Sequence, residues 1–165
     1  MKAENESCAK PDPNEVRLRA FAGPDLAAMA RLDAACFPPA IAYSRAEIAY
    51  FVRHPRSTTL LAERAGVLAG FTIYDWKRES GARVGHFITI DVAPEERRAG
   101  IGRRLMQAAE EAMRGEGCIA AVLEVSVANP GAQSFYERLG YGRTGRIPGY
   151  YPDGTDALVL RRALL

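Results

Sequence analysis

Cysteine and histidine are scarce in this chain of 165 residues. Cys8, Cys36 and Cys118 are odd in number, far apart and never in a CxxC pair. That pattern excludes a disulfide framework and a zinc knuckle, and it fits a reducing, cytoplasmic setting. His54 and His86 are the only histidines, too few for a multi-histidine metal centre, so no metal is expected. No apolar run approaches the roughly 18 residues of a membrane span, and the N-terminus lacks the apolar stretch of a signal peptide. No membrane partner is expected. Neither sign of charge dominates: 22 Lys and Arg stand against 20 Asp and Glu, a net charge of +2. Bulk electrostatics therefore gives no reason to expect nucleic acid as a partner.

What is present reads as one soluble globular domain over residues 15–165, preceded by a polar, proline-containing leader over residues 1–14. Residues 16–21 alternate as a strand does. Gly23-Pro24-Asp25 starts a helix with Leu26, Met29, Ala30 and Leu32 at helical spacing, and Phe37-Pro38-Pro39 stops it. Ser44 with Glu47 three residues on is a capping box opening a second helix. Residues 58–63 and 67–76 read as strands joined by a turn at Gly66, and residues 85–92 as a further strand after Gly81. Ile101, Leu105, Ala108, Ala109, Ala112 and Met113 mark one apolar helical face, ended by Gly115 and Gly117. Residues 119–125 form a nearly continuous apolar strand, the pattern of burial on both faces. A short helix over 132–139 and strands over 141–147 and 157–162 complete an order βααβββαβαββ. The expectation is an α/β (α+β) fold, with a mixed central sheet of about six to seven strands and helices on both faces.

The segment Arg97-Arg98-Ala99-Gly100-Ile101-Gly102-Arg103 lies between a strand and the best-marked helix. The first turn of a helix has unpartnered N–H groups and the positive end of the dipole, which together bind phosphate. Gly100 and Gly102 allow close approach, and the arginines add charge for a polyanion. A glycine-rich loop with a solvated basic face is the bland alternative. A dinucleotide fingerprint needs glycine where Leu105 stands, and a P-loop needs Gly-Lys-Ser/Thr, which is absent.

The stretch ITIDVAPEERRAGIGRRLM resembles the acyl-CoA-binding motif of the GNAT superfamily, and LEVSVANPGAQSFYERLGY resembles that family's second CoA-binding segment. The resemblance implies acetyl-CoA as co-substrate. It places the pyrophosphate on Arg97, Arg98, Ala99, Gly100, Ile101, Gly102 and Arg103, and sets the pantetheine arm along the main chain of Ile90, Asp91 and Val92. It also implies a hydrogen bond from Asn129 to pantetheine, Tyr136 beside the thioester, and an oxyanion donor among the backbone N–H groups near Val92.

Acetyl transfer to an amine requires the free base. At neutral pH about a tenth of α-amines are unprotonated and far fewer lysines, so a general base helps either. Glu124 is the only charged residue in the apolar strand over 119–125. A desolvated carboxylate there is pushed toward a useful basicity, whereas a strand-end charge facing solvent is the plain alternative. RimI-like enzymes, which acetylate the N-terminal alanine of a ribosomal protein, carry a base in a matching Leu-Glu-Val strand and a tyrosine acid twelve residues on. The matching residues here are Glu124 as base and Tyr136 as acid. His86 reads as a structural histidine or, less simply, as a proton relay.

The ending GYYPDGTDALVL is similar to that of RimI-like and archaeal Nα-acetyltransferases, whose tyrosine pair holds the N-terminal residue of a peptide. That implies acceptor contacts at Tyr150 and Tyr151, with Phe37 and Tyr43 from the apolar loop of residues 36–43. The loop departs from the family's Pro-Trp-Ser segment, having Ala40-Ile41-Ala42-Tyr43 after Pro39. The acceptor expected is therefore a protein or peptide N-terminus. A small amine or lysine, and a non-catalytic acyl-CoA-binding module, are the alternatives.

Overall fold

In the computed structural model, residue 12 and residues 14–165 are described. The expected leader therefore lies outside the described residues except for Asp12 and Asn14. The elements follow in the expected order: β1 (Val16–Ala20), α1 (Leu26–Cys36), α2 (Arg45–Arg53), β2 (Thr58–Arg64), β3 (Val67–Glu79), β4 (Ala82–Val92), α3 (Ile101–Gly115), β5 (Cys118–Ser126), α4 (Pro130–Arg138), β6 (Gly142–Ile147) and β7 (Ala157–Ala163). Short 3-10 turns at Gly23–Asp25 and Pro94–Glu96 precede α1 and the loop before α3. The Ser44 cap behaves as its spacing requires. Its Oγ accepts from the Glu47 N–H while the Glu47 carboxylate accepts from the Ser44 N–H.

Strand β4 begins three residues earlier than its sequence pattern suggests. Ser80 and Gly81 both take left-handed φ and form a two-residue hairpin turn that pairs Glu79 with Ala82. Likewise Gly115 lies inside the last turn of α3, and the chain leaves the helix at Gly117.

The seven strands form one sheet in the order β1-β2-β3-β4-β5-β7-β6. Every neighbouring pair is antiparallel except β4 with β5. That parallel pair is short, running only from Arg83 and Cys118 to His86 and Val122. Beyond it β4 stays with β3 as far as Val92, while β5 stays with β7 as far as Ser126. The sheet therefore parts along its middle. A bulge leaves Ile88 without a partner between the Tyr74–Phe87 and Ile73–Thr89 pairs, at the point where the strands diverge.

Alternation sends successive side chains to opposite faces. On one face Leu61, Phe71 and Ile73 pack under Met29 of α1 and Ile48 of α2. On the other, Tyr74, Phe87, Leu123 and Val125 meet Met106, Ala109 and Met113 of α3 and Tyr136 of α4. Leu105 is fully buried, which is worth about 2–3 kcal/mol relative to exposure. Among the described residues no helix is long and apolar enough to cross a membrane.

Candidate functional site

The loop ahead of α3 is held open by local conformation. Arg98 (φ 65°) and Gly100 (φ 80°) both lie in the left-handed region, which only Gly adopts without cost. The first helical hydrogen bond runs from the Arg104 N–H to the Gly100 carbonyl. The N–H groups of Ile101, Gly102 and Arg103 are thus directed past the helix end. Residues Arg97, Arg98, Ala99 and Gly100 are exposed, as is Arg103. None of these arginines is in an ion pair among the described residues. A Cβ on Gly102 would come within 3.2 Å of the Phe135 ring and 3.5 Å of Val92. Free N–H donors, unpaired guanidinium groups and a bare backbone make a site that fits a diphosphate.

Register brings the ionisable groups together where β4 and β5 part. Asp75 lies directly across from His86 on β3, and Val122 across from it on β5. Glu124 follows Val122 by two residues and so shares its face. His86 Nε2 lies 2.7 Å from Glu124 Oε2, and Nδ1 lies 3.6 Å from Asp75 Oδ1. Burial alone would lower the basicity of His86. The contacts with Asp75 and Glu124 outweigh it and push the imidazole up to about 9. His86 is therefore an imidazolium between two carboxylates at neutral pH.

A cleft of about 300 Å³ opens on the α2 face of these groups, lined by Tyr43, Phe51, Asp75, His86, Ile88 and Tyr150 among others. Tyr43 is pushed up to about 12 by burial, then by Tyr150, Asp33, Glu47 and Glu124. The Glu124 carboxylate also raises Tyr150 and Tyr151, after burial in each case. Tyr150 and Tyr151 meet edge to face with centroids 5.0 Å apart. Phe37 caps the C-terminus of α1 and is half-buried, but does not line the cleft.

Tyr136 is 8% exposed in the core beneath the parting strands. Its hydroxyl is held in the protonated form by burial, with Tyr151 and Asp91 adding to the effect. Asn129 caps α4, its Oδ1 accepting from the Ala132 N–H at 3.1 Å, which leaves the side-chain NH₂ as a donor. The Val92 carbonyl accepts from Cys36 Sγ and Arg97 Nε, each at 3.3 Å.

Sequence reasoning did not anticipate Asp75, and it gave His86 no firm role. The signal was available only in the register that sets these residues opposite one another. It also missed a buried acid pair behind Val92. Asp33 and Asp91 are both fully buried. Asp33 Oδ1 accepts from the Tyr43 N–H at 2.6 Å, and Asp91 Oδ1 from the Thr89 hydroxyl at 2.6 Å. The Oδ2 atom of each lacks a donor. Burial and the facing Asp33 charge hold Asp91 well above the usual carboxylate range. One proton shared between the two carboxyls satisfies both.

Residues 26–141 match the Acetyltransferase (GNAT) family. N-alpha-acetyltransferase 30 of Schizosaccharomyces pombe is 42% identical over 73 residues, 44% of this chain and 49% of that protein. The chain thus spans about half the length of that relative. An uncharacterized N-acetyltransferase of Methanocaldococcus jannaschii is 32% identical over 146 residues, covering 87% of this chain and 88% of the relative. The ribosomal-protein-S18-alanine N-acetyltransferase of Escherichia coli shares the fold, with a TM-score of 0.79, 24% identity and coverage of 91% and 94% of the two chains.

Proposed function

The chain belongs to the acetyltransferase (GNAT) family, and we infer that it moves an acetyl group from acetyl-CoA to the N-terminal α-amine of a peptide or protein. The observation that carries the reading is the contact of Glu124 with His86 at the parting of β4 and β5, faced by Tyr43, Tyr150 and Tyr151. The name of the fission-yeast relative supports the same acceptor class.

Acetyl-CoA supplies the thioester carbonyl as electrophile. Arg97, Arg98, Arg103 and the free N–H groups of α3 would hold its diphosphate, with the main chain of Ile90–Val92 and the Asn129 amide along its arm. In the transfer, Glu124 accepts the proton of the ammonium, and the freed nitrogen attacks the carbonyl. The new C–N bond forms while backbone N–H near Val92 donates to the oxyanion; as the adduct collapses the C–S bond breaks and the nitrogen gives up its second proton, which replaces the one Tyr136 passes to the sulfur. Tyr136, kept protonated by its surroundings, donates to the departing sulfur. A thiol with a pKa near ~8.5 leaves without needing a strong acid. Once His86 has lost its proton, its Nε2 takes the proton from Glu124.

A polyamine acceptor is less favoured, because it would need several free carboxylates near Glu124. Asp156 is tied to Arg146 at 2.6 Å and to the Gly149 N–H, while Asp153 accepts from the Thr155 N–H.

The experiment that tests the reading mixes the protein with acetyl-CoA and a peptide carrying one free α-amine and one internal lysine. Tandem mass spectrometry then locates the acetyl group. Modification of the α-amine supports the assignment; modification of lysine alone, or none, overturns it.

A further inference from the structure

His86 is gripped by three neighbouring strands. Its own strand is β4; Asp75 faces it from β3 and Glu124 from β5. The Glu124 contact is a short charge-assisted hydrogen bond. The Asp75 contact, at 3.6 Å, is longer than a hydrogen bond and acts as an ion pair. Among the described residues Asp75 makes no other ion pair and accepts no other side-chain hydrogen bond. A carboxylate only 28% exposed on the inner side of a strand loses hydration unless a partner offsets the loss. Among the described residues the His86 ring is the only cationic group within ion-pair distance of it.

We propose that Asp75 is a positioning residue for acyl transfer: its carboxylate orients the His86 ring with Nδ1–H toward β3, so that Nε2 is held against Glu124. A ring with a fixed donor on one side presents a fixed nitrogen on the other. Without Asp75 the ring is free to turn about its side-chain bonds, and the contact with Glu124 is made only part of the time. The proposal rests on Glu124 being the group that accepts the amine proton. It adds to that reading the residue that aims the proton's next acceptor.

The other groups around His86 leave this role to Asp75. The cleft brings Tyr43 from the segment before α2, His54 from the end of α2, and Tyr150 from the turn between β6 and β7. Burial keeps both tyrosines protonated, with Glu124 adding to the effect. Asp75 and Glu124 are thus the two anions facing the ring, on opposite sides of it.

The test is Asp75→Asn, which keeps the shape and removes the charge, with Asp75→Glu as the variant that restores it. NMR titration of the labelled protein reads the His86 ring without any substrate. In Asp75→Asn the His86 midpoint should fall by about one pH unit or more. The kcat for the peptide acceptor at its high-pH plateau, where the ring is neutral in both proteins, should fall about tenfold, the profile's midpoint should move down with the NMR midpoint, and the KM for acetyl-CoA should not change. Asp75→Glu should recover both the midpoint and the rate. A His86 midpoint and a pH–rate profile that both stay where they are in Asp75→Asn would overturn the proposal. If the wild-type protein acetylates no α-amine yet the His86 midpoint still moves, the function assigned above fails and the Asp75–His86 relationship survives.

Discussion

His86 Nε2 and Glu124 Oε2 lie 2.7 Å apart, on adjacent strands that cease to pair at that level. The pairing of β4 with β5 ends at His86 and Val122, so the carboxylate two residues beyond is not sealed between strands. It is only partly exposed, with 16% of its side chain accessible, and its nearest charged partner is an imidazolium. Glu124 is therefore in direct contact with a histidine that itself lines the cleft.

Removing the carboxylate tests the base directly. Glu124→Gln should lower kcat by at least about tenfold, the low end of what a general base contributes. Isothermal calorimetry should give an unchanged affinity for acetyl-CoA, since the phosphate loop is on another element. An unchanged kcat would remove Glu124 from the reaction.

The His86 imidazole sits above its ordinary value of 6.5, at about 9. The stabilisation it draws from its two carboxylates is complete below 6.5 and is lost as the pH rises through about 9. Reactivity moves the opposite way, because only the neutral ring accepts a proton. Initial rates across pH should show kcat/KM climbing to a midpoint near 9, and denaturant unfolding should show stability declining over the same range. In His86→Gln both features should disappear, leaving the limb set by the amine near ~8.

Gly102 should be needed for donor binding more than for folding. In Gly102→Val the new side chain must push against Phe135 and Val92, where even a Cβ is crowded. The dissociation constant for acetyl-CoA should rise by about tenfold or more, a loss of roughly 1.4 kcal/mol. The same crowding should lower the thermal midpoint by a few degrees, a smaller loss than that of donor binding. Equal loss of both would make the glycine a packing residue only.

The Asp33–Asp91 pair predicts a dependence of stability on pH that is independent of catalysis. Asp91 is raised by burial and by its neighbour. Its protonated form is thus bound more tightly by the folded protein, and stability falls as pH climbs from the ordinary carboxylate range toward the raised value. Asp91→Asn should flatten that decline and make the protein more stable than wild type at pH 9, by about 1 kcal/mol or more. Urea unfolding at pH 5 and pH 9 is the measurement. A variant with the same slope as wild type would show that no proton is shared there.

Most of the fold was legible because its signals are local. The Ser44 and Glu47 capping box, the apolar stripe of α3 and the turn at Gly66 each specify structure within a few residues. The glycine-rich loop ahead of α3 and the lone charge of β5 at Glu124 also stand out in the sequence, as motifs to which roles are proposed. What stayed hidden depends on partners far apart in the chain. Asp75 and His86 acquire meaning only from the β3–β4 register, and the Ile88 bulge that helps set that register leaves no mark in the alternation. Glu110 lies outside the apolar stripe of α3 named from the sequence, yet it is only 2% exposed, where it accepts 2.7 Å hydrogen bonds from the Tyr141 hydroxyl and Arg162.

The parting of β4 from β5 also bears on the order of events in the proposed transfer. The donor loop leads into α3 on one face of the sheet, while the aromatic cleft opens on the face covered by α1 and α2. Two ligands can therefore approach from opposite sides and be resident together, neither waiting for the other to depart. The proposed transfer therefore predicts a ternary complex: reciprocal rate lines should intersect as one substrate is varied against the other, with no acetylated protein accumulating between turnovers.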